Sequence, residues 1–374
     1  MLQKKLTKNF NKVIPKIKAN IPIIFLSIFS ISITFYYGYR GVLPLDSFLI
    51  YDAGYKLLNG FHPFKDYWSI TGPVLDYFQF FFFKILGINW LSYVIHSSII
   101  NFCLTVIFYN FLVKLGLSKP NSFIYSLSIA ILAYPSAGTP FMDHHAAIFS
   151  LISVLFTVLA FKNNRPIYWF FIPLFLFISF FSKQIPSAYL LLLTSIFIFI
   201  YTLTLSQKSY KFFYFLFLGS VTSFFLFFLI LLGNNIPFNN FLIQYLFYPL
   251  EIGNNRGSNI SFDLNTIIFQ FKFIYFSFLP LIFVSVIIAK KIKNFENKKD
   301  LMIIIFIIIT VIIFMYSQIM TKNQILIFFL IPFCLGVSNC YIKKYFDNKL
   351  LTSFVFFILV LATLKFHIRF NENK

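Results

Sequence analysis

The sequence predicts an all-α membrane protein, a polytopic bundle of about eleven transmembrane helices with two short interfacial helices in its first outer loop. Of the 374 residues, 59% are hydrophobic and only 11% are charged, whereas a soluble domain carries about 25% charged residues. Eleven helices of about 20 residues would account for roughly the observed apolar fraction. These observations exclude a soluble enzyme, a disulfide-stabilised secreted domain and a disordered chain.

The apolar runs define the predicted helices in order along the chain. Pro135 and Pro140 separate the third run from the fourth, because proline interrupts a helix. The third, fourth and fifth runs are shorter than the others. The predicted spans are 21–38, 91–113, 122–136, 146–161, 167–182, 185–206, 212–232, 273–289, 301–320, 325–342 and 350–366.

The distribution of charge predicts how the chain is oriented. Residues 1–18 form a lysine-rich amphipathic segment suited to the cytoplasmic face of an anionic membrane, and residues 19–374 form the transmembrane domain. With the N-terminus inside, 20 of the 31 Lys and Arg residues lie on the inner side, so the C-terminus is predicted to be external. The net charge of +20 is therefore attributed to membrane topology and anionic lipid, with no nucleic-acid partner.

The acidic residues follow the opposite distribution. In the same orientation eight of the 11 acids lie outside, which the positive-inside rule does not explain. This bias indicates that the outer face uses carboxylates. The composition, rich in Phe, Ile, Lys and Asn, is typical of an AT-rich bacterial genome, so the predicted location is the bacterial inner (plasma) membrane.

Two outer segments are long, 39–90 and 233–272. Within the 39–90 loop, helical spacing of apolar residues predicts a helix over 47–59, stopped by Gly60, and a second over 74–86, ended by Gly87. Both are too short to cross a bilayer and are expected to lie in the interface. Carboxylates held at that level suit a substrate with a polar head and a lipid tail.

The 39–90 loop also carries a family-like pattern. Its residues are Leu45-Asp46, Tyr51 to Ala53, Leu57-Leu58-x-Gly60, Pro63-Phe64-x-Asp66 and Gly72-Pro73. The pattern resembles the first outer loop of GT-C fold glycosyltransferases, most closely the protein mannosyltransferase and aminoarabinose transferase-like group (glycosyltransferase family 39-like). Two departures are visible: Phe64 replaces the usual Tyr, and Thr71 stands where many relatives have a basic residue.

The resemblance implies transfer of a sugar from a polyprenyl-phosphate donor to a glycan, lipid or protein acceptor at the outer, periplasmic or extracellular face. Such a reaction requires a carboxylate to accept a proton and a positive group to stabilise the departing phosphate. Asp46 is the predicted base, with an alternative as the cap of the following helix. Asp66 is the second catalytic candidate, or a turn-capping residue. Asp143 is the third, or an ordinary helix cap.

Further residues are predicted to bind the substrate. Lys183 would neutralise the lipid phosphate, or is a lysine that snorkels at a helix end. A divalent cation, Mg²⁺ or Mn²⁺, is the one cofactor considered, with Asp46 and Asp66 as its ligands. The 233–272 loop would close over the site or act as a connector. The substrate-binding candidates are Lys183, His144, Lys65, Tyr51, Gln184 and Glu251.

Two acids of the 39–90 loop are predicted to have no catalytic function. Asp52 is expected on a solvated helix face, and Asp76 is expected to pair with Lys84 in the interface. Two functions compete with the transferase: a flippase or transporter of lipid-linked glycans, and an O-antigen-type polymerase or ligase. A flippase needs polar groups through the middle of the bundle, whereas here the acids lie at one face.

Overall fold

The computed structural model describes residues 2–42, 47–204, 210–257, 264–291, 295–321 and 326–372. Within these ranges, the side chains of residues 2–19, 47, 256, 257 and 266 are not described. The described part of the chain is helical and contains no β-strand. The predicted all-α class is therefore confirmed.

Eight helices are long and apolar enough to cross a membrane, the first through its part Asn20–Arg40. This finding supports an integral membrane protein, because the backbone polar groups of a lipid-embedded segment must be satisfied within the segment itself. The eight are α1 (Leu2–Arg40), α4 (Trp90–Leu115), α6 (Met142–Asn163), α8 (Ser187–Thr204), α9 (Lys211–Gly233), α12 (Lys272–Lys290), α13 (Phe295–Thr321) and α15 (Lys349–Arg369).

Three shorter helices occupy the remaining predicted spans. They are α5 (Lys119–Leu132), α7 (Pro166–Phe180) and α14 (Leu330–Tyr345). At 14, 15 and 16 residues, they are below the length usual for a membrane-spanning helix. Each of the eleven predicted spans is thus a helix, whereas eight of the helices have the length to cross a bilayer.

The 39–90 loop contains the two short helices that the sequence predicts, α2 (Ser47–Leu58) and α3 (Pro73–Leu86). Proline at the first position of α3 suits a helix start, where its missing N–H group is not needed. Gly87 ends the helix with φ 81°, a backbone conformation that favours glycine. The two helices pack against each other, and α3 also packs against α4.

The 233–272 loop is mostly helical. It contains α10 (Phe238–Phe241), a π-helical turn (Leu242–Phe247), α11 (Tyr248–Gly257) and a second π-helical turn (Asn265–Phe269). The described residues of this loop thus form a helical arm that packs on the bundle.

The centre of the bundle is α6. In its most apolar window, 94% of the residues are buried, whereas the figure for α9 is 22%. Helices α4, α7, α8 and α13 all contact α6. Because α6 is surrounded by protein, the groups at its two ends are held by neighbouring helices instead of by lipid.

Where α6 ends, four charged side chains and one tyrosine form what we call the ion-pair cluster. The buried Asp300 carboxylate receives Lys162 Nζ at 2.9 Å on one oxygen and Lys344 Nζ at 2.5 Å on the other. Both lysines also contact Glu296, at 3.1 and 3.0 Å, and Tyr345 donates its hydroxyl to Asp300 at 2.9 Å. The cluster joins α6, α13 and α14 at this end of the bundle.

Candidate functional site

A cavity of about 1020 Å³ lies at the opposite end of the bundle, where α6 begins and α13 ends. Its walls come from α2, the 67–71 segment, the start of α3, the start of α6, the junction of α7 and α8, α11 and the end of α13. The cavity therefore collects residues from parts of the chain that are far apart in sequence.

The lining of the cavity is divided between polar and apolar side chains. The charged residues come from the 39–90 loop, the start of α6 and the junction of α7 and α8, and the described lining residues that α8, α11 and α13 contribute are uncharged. The principal polar residues are Asp52, Lys56, Tyr67, Ser69, Thr71, Asp76, Asp143, Lys183 and Gln184. The apolar residues come from most of the lining elements and include Leu49, Ile70, Met142, Ile185, Leu250 and Met320.

Asp143, which is buried, and Lys183, which is half-buried, form an ion pair in the cavity wall. Lys183 Nζ donates to Asp143 Oδ1, and the two side chains are 19% and 4% exposed, respectively. The residue at the N-cap of α6 is Phe141, and Asp143 is the second residue of the helix. The helix-cap alternative for Asp143 is therefore wrong, although an acid in the first turn still interacts favourably with the helix dipole.

The turn before α3 fixes the position of Lys183. Gly72 N–H donates to Ser182 O at 3.3 Å, and Val74 N–H donates to Phe181 O at 3.2 Å. A Cβ atom on Gly72 would lie 1.8 Å from Phe181 O, so this position accepts no side chain. The Thr71-Gly72-Pro73 turn, which departs from the family-like pattern, thus serves here as a backbone contact that holds the residue preceding Lys183.

Amide side chains join the 233–272 loop to the 39–90 loop and to the junction of α7 and α8. Gln184 Nε2 donates to Tyr245 O at 2.7 Å, and Gln244 Oε1 accepts from Ser69 N–H at 2.9 Å. Asn240 Nδ2 donates to Phe64 O at 3.0 Å. α11 comes next in the same helical arm, and its residues contribute to the cavity wall.

Asp76 differs from its predicted surface position. Its side chain is buried at 2% exposure and lines the cavity, and its Oδ2 atom has no hydrogen-bond partner among the described residues. The predicted pairing with Lys84 is wrong, since Lys84 Nζ lies 5.8 Å from the Phe80 ring centroid instead. Burial raises the pKa of the Asp76 carboxyl well above its usual value; Lys56 opposes this rise and Asp52 adds to it.

Asp52 also lines the cavity. It forms an ion pair with Lys56 one helical turn away at 2.7 Å, with side chains 57% and 40% exposed. Lys56 Nζ lies 4.8 Å from the centroid of the Tyr67 ring. Asp52 is thus exposed, as predicted, but the sequence did not indicate that it faces a cavity.

Several predicted site residues lie away from the cavity lining. Asp66 Oδ2 accepts from His62 N–H at 2.8 Å, the turn-capping alternative, and Lys65 Nζ donates to Asn234 O at 3.2 Å. His144 is buried beside Tyr134, with ring centroids 4.5 Å apart. Tyr51 packs against Phe83, and Glu251 is exposed on α11. Asp46 lies outside the described residues, so its position remains a prediction.

The cation alternative finds limited support in the described ranges. No group of three or more His, Cys, Asp or Glu side chains among them is arranged to hold a metal ion. Asp66 already accepts a backbone hydrogen bond, and Asp46 lies outside these ranges. Of the two lysines that line the described part of the cavity, Lys183 is less exposed than Lys56.

The chain matches no protein-family model, and no curated protein is significantly similar to it in sequence.

Proposed function

We propose that this protein is a membrane glycosyltransferase that moves a sugar from a polyprenyl-phosphate donor to an acceptor on the outer face of a bacterial inner membrane. The observation that supports this most strongly is the divided lining of the cavity, which combines carboxylates and the half-buried Lys183 with apolar side chains, while the described lining residues of α8, α11 and α13 carry no charge. An amphipathic donor has the same division, with a charged sugar-phosphate head on a hydrocarbon chain.

The Asp143–Lys183 pair suits the departing phosphate. An ammonium has three N–H donors, and the described contact to Asp143 uses one of them. The other two can bind phosphate oxygens and stabilise the charge that develops as the bond from the sugar to the phosphate breaks. Asp143 holds Lys183 in place and supplies negative charge near the positively charged anomeric carbon.

The direct test is a transfer assay with purified protein. We would incubate it with a panel of polyprenyl-phosphate sugars and measure free polyprenyl phosphate, from transfer or from slow hydrolysis. We expect turnover of at least one donor and a loss of at least 100-fold in Asp143→Asn. Asp347→Asn is a matched control: Asp347 is exposed, near the ion-pair cluster, with φ 45°, which asparagine also adopts. Passage of intact donors across vesicles without turnover would support a flippase instead.

The orientation is part of the proposal and has its own test. Cys334 and Cys340 are buried and Cys103 is half-buried, so a new surface cysteine can be labelled over a low background. A membrane-impermeant maleimide should label Lys65→Cys in intact cells and should label Lys349→Cys only after permeabilisation. Both native lysines are exposed, at the cavity end and the ion-pair end. The reverse result would place the cavity in the cytosol and overturn an outer-face reaction.

A further inference from the structure

Two buried polar atoms without partners belong to side chains that line the cavity. They are Asp76 Oδ2 and the Tyr67 hydroxyl, neither of which has a hydrogen-bond partner among the described residues. Both residues line the cavity. After burial, the charge of Asp76 is the largest influence that raises the pKa of Tyr67.

An arrangement of this kind is costly and therefore informative. Leaving a buried donor or acceptor unpaired costs about 1–3 kcal/mol, and folded proteins pair the great majority of such groups. Two unpaired groups on residues that line the same cavity suit a site for a hydroxyl-bearing ligand, which would supply the missing partners.

The other acids of the cavity are neutralised by lysines. Asp143 is bound by Lys183, and Asp52 is bound by Lys56. Among the described cavity residues, Asp76 is therefore the carboxyl without a lysine at ion-pair distance. The titratable and charged groups around Asp76 are Asp52 and Lys56 of α2, Tyr67 of the following segment, Tyr77 of α3 and Tyr93 of α4.

We propose that Asp76 is a catalytic residue that accepts the proton of the acceptor hydroxyl, and that Tyr67 binds the sugar or the acceptor beside it. The inference rests on the proposed function and assigns the proton transfer within it. The acceptor oxygen forms a bond to the anomeric carbon, and the bond from that carbon to the phosphate oxygen breaks. The electron pair leaves with the polyprenyl phosphate, and the acceptor proton moves to the Asp76 carboxylate.

The kinetic test compares Asp76→Asn and Tyr67→Phe with the control Asp347→Asn across pH. Asp46→Asn is included because Asp46 is the base that the sequence predicts. We expect Asp76→Asn to lower the transfer rate by about 10²–10⁴-fold and to leave donor binding within threefold. Because Asp76 accepts a proton only when ionised, wild-type activity should rise with pH, and this dependence should be absent from Asp76→Asn. Tyr67→Phe should cost about tenfold and keep the pH dependence.

A chemical measurement covers the case in which a variant does not fold. Dicyclohexylcarbodiimide modifies protonated carboxyl groups in apolar surroundings, so it should label Asp76 of the wild-type protein, and to a greater extent as the pH is lowered. Peptide mass spectrometry reads the sites. Labelling of other acids without Asp76, or wild-type rates and pH dependence in Asp76→Asn, would overturn the assignment of Asp76 alone. A wild-type protein that turns over no donor would overturn the proposed function and the assignment with it.

Discussion

A buried aspartate lies near each end of α6, and the two differ in how completely their oxygens are paired. Asp143 at the cavity end and Lys162 in the ion-pair cluster are separated by about 28 Å along the helix axis. In the ion-pair cluster, each oxygen of the buried Asp300 receives a lysine and the cluster joins three helices. At the cavity end, Asp76 is equally buried and has an oxygen without a partner. Aspartates and lysines alone thus do not identify a functional site; the difference lies in which of them remain available to a ligand.

The difference has an energetic meaning. A buried charge is tolerated when its partners are complete, and it is strongly destabilising when one partner is removed. The ion-pair cluster therefore contributes to holding α6, α13 and α14 together. At the cavity end, the unpaired Asp76 lowers the stability of the fold, as is common for residues that bind or react. Substitutions at the two ends should separate stability from activity.

The largest effect on stability is expected at Asp300. Asp300→Asn leaves Lys162 and Lys344 close together with only Glu296 to balance them, so the free energy of unfolding should fall by about 3–5 kcal/mol. Transfer activity per folded molecule should be unchanged, because the cavity is at the other end of α6. Denaturant unfolding in detergent micelles, followed by tryptophan fluorescence, measures the first, and the transfer assay measures the second. Lost activity in a protein of normal stability would contradict the division between the two ends.

The next effect is expected from breaking the pair at the cavity end. Lys183→Met leaves Asp143 without its lysine and should cost about 2–3 kcal/mol, less than at Asp300 because water in the cavity can solvate the carboxylate. The double variant Asp143→Asn/Lys183→Met should recover most of this stability and none of the activity. Recovery of activity in the double variant would show that the pair serves only the fold.

The helical framework could be predicted from the sequence because a bilayer imposes it. Apolar runs of the required length become helices in lipid, and Gly60 and Gly87 mark the ends of α2 and α3 as expected. The number of full-length spans could not be predicted as well. Buried helices such as α14 also come from apolar runs of the sequence, but they are shorter than membrane-spanning helices.

The candidate site could be predicted in part. Asp143, Lys183 and Gln184 were selected from sequence and all line the cavity. The burial of Asp76 was missed because it depends on contacts between helices, including the close approach of α2 to α3. There, a Cβ on Gly54 would lie 2.7 Å from Gln79 Cγ. The i, i+4 spacing of Asp52 and Lys56 was a readable signal for an ion pair, but nothing local indicated that it faces a cavity.

A smaller effect is expected from Gly72→Ala, which tests how the 39–90 loop positions Lys183. The added methyl group would overlap Phe181 O, so the turn must shift, at about 1–3 kcal/mol. We expect a larger proportional loss of activity than of stability, because the shift moves the residues next to Lys183. Gly60→Ala is a control of the same chemical type: Gly60 has φ 82° and open space around it, so its cost is confined to local strain. Equal loss of activity in both variants would argue against a specific function of the Gly72 contact.

The smallest effect has the opposite sign. Because burial raises the pKa of Asp76, the folded protein retains this proton to a higher pH than the unfolded chain does. Stability should therefore fall as pH rises from the unfolded pKa of Asp through the raised folded value. Asp76→Asn removes this linkage, so it should match the wild type near pH 4 and be more stable than the wild type at pH 8. Unfolding midpoints at the two pH values, with Asp347→Asn as the control that keeps the slope, measure the difference. A variant that is less stable than the wild type at both pH values would mean that the Asp76 carboxylate contributes to the fold as Asp300 does, and the contrast between the two ends of α6 would be lost.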